Sequence, residues 1–250
     1  MSTNTQNAAQ MRELRLAAMT QAYELQQEQP KLHQLGFDDR LGLLLEAECS
    51  ARKTRKLNRL VKVATLPEAA SLEDLDMRPA RGLDKPMLSG LAGCGWIKRL
   101  QNLIIVGPTG VGKTWLACAL GQQACRLGMS VSFHRASDLY ATISDAAHAA
   151  VLPKLKLALA KPNLLILDDF GIGEMTTFAA QVLLDVVDKR MRTGSLLITS
   201  QYPSEKWHSF FADPTIADAV LDRVVHQAHR IQMKGESMRK VRGRAALAEA

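Results

Sequence analysis

Between a short apolar run, residues 103–106, and an apolar helical pattern, residues 115–127, stands the octapeptide Gly107-Pro108-Thr109-Gly110-Val111-Gly112-Lys113-Thr114. It fits the spacing G-x-x-x-x-G-K-[ST], and few folds accommodate that spacing between a strand and a helix. The glycines let consecutive backbone N–H groups close around phosphates, and the helix that follows turns the positive end of its dipole toward them. The pattern therefore predicts a nucleotide cradle running from Gly107 to Trp115, with ATP as its ligand. Lys113 is placed to reach the β- and γ-phosphates. The Thr114 hydroxyl is a hard oxygen ligand suited to Mg²⁺.

The rest of the C-terminal half repeats the theme of short apolar runs separated by helical patterns. LIIV, VSF, LLILD, SLLITS and HRIQM predict five strands of a parallel sheet flanked by helices, an α/β domain with its ligand at the carboxyl ends of the strands. LLILD ends in adjacent acids, and alternation along a strand sends them in different directions. Asp168 is expected to share the Mg²⁺ with Thr114, and Asp169 to face the attacking water. Asp169 stands where a glutamate is commoner in such sites, so slow turnover or completion of the site by a partner is expected. The end of SLLITS offers Gln201 as the residue that senses the γ-phosphate, with Thr199 and Ser200 as alternatives. Further on, AVLDRVV reads as a helix carrying Arg223, a candidate for the arginine that one subunit lends to the next in oligomeric ATPases. Asp222 is a candidate surface partner near it.

The first 65 residues read differently. Met11, Leu14, Ala18, Ala22 and Leu25 recur at helical spacing up to Pro30, predicting one amphipathic helix. A second is expected to start at Asp38 or Asp39, either of which suits a cap, with Leu41, Leu44, Leu45 and Cys49 on one side. Its continuation, residues 52–62, carries Arg52, Lys53, Arg55, Lys56, Arg59 and Lys62 with no acid among them. Such a run repels itself unless an anion neutralises it, which makes it a candidate duplex-DNA face. Tyr23 and Phe37, the aromatics of this region, are expected in a core and not as base-stacking platforms. The formal charge of +7 agrees with a polyanionic partner. Prolines and glycines over residues 66–101 mark a connecting segment, so the division expected is 1–65 helical, 66–101 connecting and 102–250 nucleotide-binding. Cys49, Cys94, Cys118 and Cys125 show no CxxC pair, and buried free thiols in a reducing cytoplasm are expected. No apolar run is long enough to cross a membrane.

Taken together, GPTGVGKT, LLILDDFG, LLITSQYPSEKWH, DPTIADAVLDRVVHQAHRI and KGESMRK resemble the IstB family of transposition helper ATPases. The chain is similar also to the DnaC helicase loaders and, more distantly, to the initiator DnaA, all within one AAA+ branch. The resemblance covers roughly residues 11–240. It implies a partner ATPase of an insertion-sequence transposase that binds duplex DNA, oligomerises with ATP and stimulates the transposase, with Arg223 at the finger position. The alternatives are a helicase loader and a nucleotide-gated binding module. A C-terminal helical lid is not expected, and Arg239 is a candidate substitute for its sensor arginine.

Overall fold

The computed structural model describes residues 3–76, 81–226, 228–238 and 240. The chain divides into two compact units, Met1–Arg59 and Leu60–Ala250.

The first unit is all helical. The single helix expected up to Pro30 is two, α1 (Thr3–Glu13) and α2 (Ala17–Glu28). The break falls where Arg15 takes a left-handed φ of 58°, and the supposed stripe residues Leu14 and Leu25 are 68% and 47% exposed. Helix α3 (Phe37–Ala64) starts at Phe37, with Asp38 and Asp39 in its first turn, where carboxylates suit the helix dipole. Of its expected apolar side only Leu44 is buried, while Leu45 is half exposed and Cys49 is exposed. Phe37 is 77% exposed, so it is no core residue. Tyr23 is half-buried, its hydroxyl donating to Asn4 Oδ1 at 3.1 Å and accepting from Asn7 at 3.4 Å.

The basic run does have a carboxylate, one turn before it begins. Glu48 is buried and accepts from Arg52 Nε at 2.8 Å and Arg55 Nη2 at 3.0 Å. Helical spacing of four and seven residues puts the three on one face, which a search restricted to residues 52–62 misses. The same carboxylate accepts the backbone N–H groups of Ala18 and Met19 at 3.0 and 3.2 Å, so it also caps the start of α2.

In the second unit, which carries α4 (Lys85–Ala92) and α5 (Gly95–Lys98) ahead of its first strand, β1 (Asn102–Val106), β2 (Val131–Arg135), β3 (Leu164–Asp168), β4 (Ser195–Ser200) and β5 (Ala228–Gln232) form one sheet in the order β2-β3-β4-β1-β5. Every neighbouring pair is parallel, as the five apolar runs predict. All residues of β3 and β4 are buried, the mark of strands covered on both faces. Alternation divides them. Ile104, Leu165, Leu167, Leu196 and Ile198 join the core shared with α7 (Ala136–His148), α9 (Thr177–Arg190) and α10 (Pro214–Val225). Ile166 points the other way, to α6 (Lys113–Arg126), where a side chain added at Gly121 would stand 3.0 Å from it. α10 begins with Pro214 behind Asp213, whose carboxylate takes the Thr215 N–H at 2.8 Å.

Cys94, Cys118 and Cys125 are buried free thiols, and burial pushes them up to about 11, 12 and 11 respectively. Among the described residues no helix is long and apolar enough to cross a membrane.

Candidate nucleotide-binding site

β1 ends at Val106, and the octapeptide carries the chain from it into α6. The turn is made by Gly110 and Gly112, with φ of 85° and 96°, a region that L side chains rarely adopt. Gly112 stands directly before α6, so the loop's N–H groups and the free N–H groups of the helix's first turn are gathered at one place. Lys113 is buried, with Nζ donating to Pro108 O at 3.1 Å across the loop. Thr109, Gly110, Gly112, Lys113, Thr114 and Trp115 line one cavity together with Asp169. Val111 is buried.

The polar residues expected from three separate strands meet here because β4 lies between β1 and β3. The Thr114 hydroxyl stands 3.0 and 2.9 Å from the two carboxylate oxygens of Asp168. Thr199 Oγ1 donates to Asp168 Oδ1 at 2.6 Å and accepts the Asp169 N–H at 2.9 Å. One hydroxyl thus ties both acids to β4. Asp168 is 1% exposed, and burial raises its carboxyl above the usual range, opposed by the hydrogen bonds from Thr199 and Thr114. Asp169 takes a φ of 56°, which turns it out of the strand path and onto the cavity wall. Aspartate tolerates this conformation better than most residues. Gln201 Oε1 accepts from Thr109 Oγ1 at 2.9 Å, joining the end of β4 to the loop, while Ser200 Oγ donates to Phe170 O at 2.6 Å.

These residues fit a Mg²⁺-nucleotide. Thr114 and Asp168 offer only oxygen donors, one of them a carboxylate, and Mg²⁺ typically takes one or two carboxylates and completes its shell with phosphate oxygens and water. Among the described residues no group of three or more histidines, cysteines or acids forms a metal cage of its own.

Arg223 lies apart from this cluster. It sits in the last turn of α10, with its Nε on the Asp188 carboxylate and Nη1 donating to Ala219 O at 2.7 Å. Asp222, the acid expected near it, pairs instead with His226 at 3.3 Å. Arg223 lines an open groove with Asp218, Asp222 and Arg230 and not the loop cavity. Arg239 lies outside the described residues, as do residues 241–250, where the expected absence of a lid falls.

Two contributors were not legible as site residues. The segment after β5 returns to the loop, with Met238 N–H donating to Gly110 O at 2.9 Å and Ser237 standing where a side chain at Gly110 would clash. KGESMRK was distinctive as a string, but nothing in its composition announced this contact. Arg81, ahead of β1 in the chain, lines the same cavity, and no spacing pointed to it.

A parallel sheet in which the acid strand β3 reaches the loop strand β1 through β4, with all three strand ends converging on one phosphate cradle, defines an AAA+ protein of the P-loop class. The fold is that of DnaI, with a TM-score of 0.58 at 19% identity over 66% of this chain and 92% of that one. It is equally that of AMPPCP-bound DnaA from Aquifex aeolicus, with a TM-score of 0.57 at 17% identity over 74% and 57% of the two chains. The chain belongs to the IstB-like ATP binding protein family, whose model matches residues 9–246. It is 43% identical over 225 residues to the insertion sequence ATP-binding protein y4pL of Sinorhizobium fredii, covering 90% of this chain and 92% of that relative.

Proposed function

We propose that this chain is a DNA-binding ATPase that assists the transposase of an insertion sequence. In this reading ATP and Mg²⁺ bind at the cradle, ATP promotes a homo-oligomer, and the assembly holds duplex DNA and stimulates the transposase. The observation that carries it is the junction of Thr114, Asp168, Thr199 and Asp169 in a member of a family of insertion-sequence ATP-binding proteins.

In the roles we assign, Lys113 holds the β- and γ-phosphates, and Thr114 with Asp168 holds Mg²⁺, whose charge stabilises the phosphate oxygens when bound. Asp169, on the cavity wall, orients the attacking water, and Gln201, tied to Thr109, reports on the terminal phosphate. Arg223 acts in a neighbouring subunit. Its place away from its own chain's cradle suits that role, and its bond to Asp188 holds it until a stronger anion competes. Lys53, Lys56, Arg59 and Lys62, with no carboxylate partner among the described residues, make the duplex face together with Arg52 and Arg55, which are 57% and 55% exposed although paired.

The test is a single titration of ATP binding and hydrolysis at fixed salt, with duplex and with single-stranded DNA as alternative additives. Turnover stimulated by duplex, together with ATP-dependent duplex binding, is the expected result. A response confined to single strands moves the assignment to a helicase loader. Assembly on duplex with no phosphate release makes the protein a nucleotide-gated binding module.

A further inference from the structure

Arg81 is the one described residue between Asp76 and Gly82, and it belongs to none of the motifs above. Its backbone carbonyl accepts the Lys234 N–H at 2.9 Å, which fixes the connecting segment against the chain just after β5. Its side chain is 10% exposed and forms an ion pair with Asp76 at 3.6 Å. Nη2 donates to the Val111 carbonyl within the phosphate loop itself. A side chain added at Gly112 would stand 3.1 Å from the same nitrogen. A buried guanidinium is thus fixed against the loop from outside the motif.

The charge around the cavity gives this position its meaning. Among the described lining residues the acids are Glu68, Asp74, Asp76 and Asp169, and the cations are Arg81 and Lys113. A triphosphate entering a wall with this excess of carboxylate needs every cation the wall has, and a buried one acts in a less screened environment than a surface one. Arg81 lies against Val111 and Gly112, the two residues before Lys113. With Lys113 assigned to the β- and γ-phosphates and Thr114 with Asp168 to the metal, the phosphate nearest the sugar is left without a side-chain cation. Guanidinium has five donors, so bonds to Val111 and Asp76 leave N–H groups for phosphate, in a geometry that suits its oxygens.

We propose that Arg81 is a second nucleotide-contacting cation, which binds the phosphate nearest the sugar from the connecting segment. The inference rests on the reading of this cavity as an ATP site. Because that phosphate is common to ATP and ADP, removing Arg81 weakens both nucleotides by a similar factor.

The experiment is equilibrium titration of the full-length protein with ATP and with ADP, in the presence of Mg²⁺, for the wild type, Arg81→Gln and Arg81→Lys, each with its melting curve. Arg81→Gln is expected to raise both dissociation constants at least tenfold, the scale of a missing hydrogen bond to a charged group. Arg81→Lys, keeping the charge without the fork, falls between. Wild-type affinity in Arg81→Gln makes the residue a brace only and overturns the proposal, and a loss confined to ATP overturns the position assigned. If Arg81→Gln does not melt cooperatively, Arg81→Lys decides alone, an equal loss for both nucleotides supporting the contact and wild-type affinity overturning it. A wild type that binds neither nucleotide sinks the ATP-site reading itself, which is a different result.

Discussion

At the scale of single residues, Asp168 and Asp169 are chemically identical neighbours that the fold treats oppositely. Asp168 is sealed between two threonine hydroxyls, and burial raises its folded-state pKa above the ordinary aspartate value. A carboxyl raised in this way contributes stability below the unfolded value and loses it as pH rises through the folded one, so ionising it in the folded state costs stability. Asp168→Asn should therefore melt, with no Mg²⁺ or nucleotide added, at or above the wild-type temperature, while the stabilisation that Mg²⁺-ATP confers on the wild type is lost. Asp169 is turned onto the cavity wall at a φ of 56°, which asparagine also adopts. Asp169→Asn should bind ATP within about threefold of wild type and lose about a hundredfold or more of its single-turnover rate, the usual scale for a missing general base. Equal rates would remove Asp169 from the chemistry.

At the scale of elements, two buried charges show what the helices depend on. Arg190, at the end of α9, is 1% exposed and donates to the carbonyls of Leu159, Ala160, Asn163 and Ser195. It ties the end of α8 (Leu152–Ala160) to the starts of β3 and β4, and burial pushes it down to about 10, so it is still charged at neutral pH. Arg190→Ala leaves those carbonyls without their donor and should cost about 3 kcal/mol, read in a denaturant melt. In the helical unit, Glu48 joins the start of α2 to the basic face of α3, and the Arg52 hydrogen bond leads in holding its carboxyl below the ordinary value of 4.5. A lowered carboxyl stabilises above its unfolded pKa and ceases to do so as pH falls through the folded one. The helical unit should hold its content above about pH 4.5 and lose part of it below, as followed by circular dichroism. Glu48→Gln should flatten that acid limb.

At the scale of the molecule, α3 presents two kinds of cation, and duplex binding should distinguish them. Replacing Lys53, Lys56, Arg59 and Lys62 by glutamine should weaken all duplexes alike and reduce the slope of log affinity against log salt by up to about 0.9 for each phosphate no longer neutralised. Replacing Arg52 and Arg55 should weaken binding and also lower the melting temperature, because Glu48 then stays buried without its cations. A loss for one DNA sequence but not another would show base readout in place of backbone contact.

What the sequence determined by itself was local. Strand periodicity, the glycine spacing of the loop and the adjacent acids after LLILD are each written within a few consecutive residues, because backbone conformation and alternation are short-range properties. The five strands, and the strand–loop–helix around Gly107 to Thr114, were legible for that reason. Where a reading needed a contact between distant segments it failed or was silent. The exposure of Phe37 and the seating of Glu48 on the backbone N–H groups of Ala18 and Met19 depend on which helix faces pack. Thr199 between the two acids depends on strand order, and no property of SLLITS specifies that β4 lies beside both β1 and β3. Arg81 reaches Val111 across 30 residues of sequence, a contact decided by packing and by the charge of a cavity that exists only once the chain has folded.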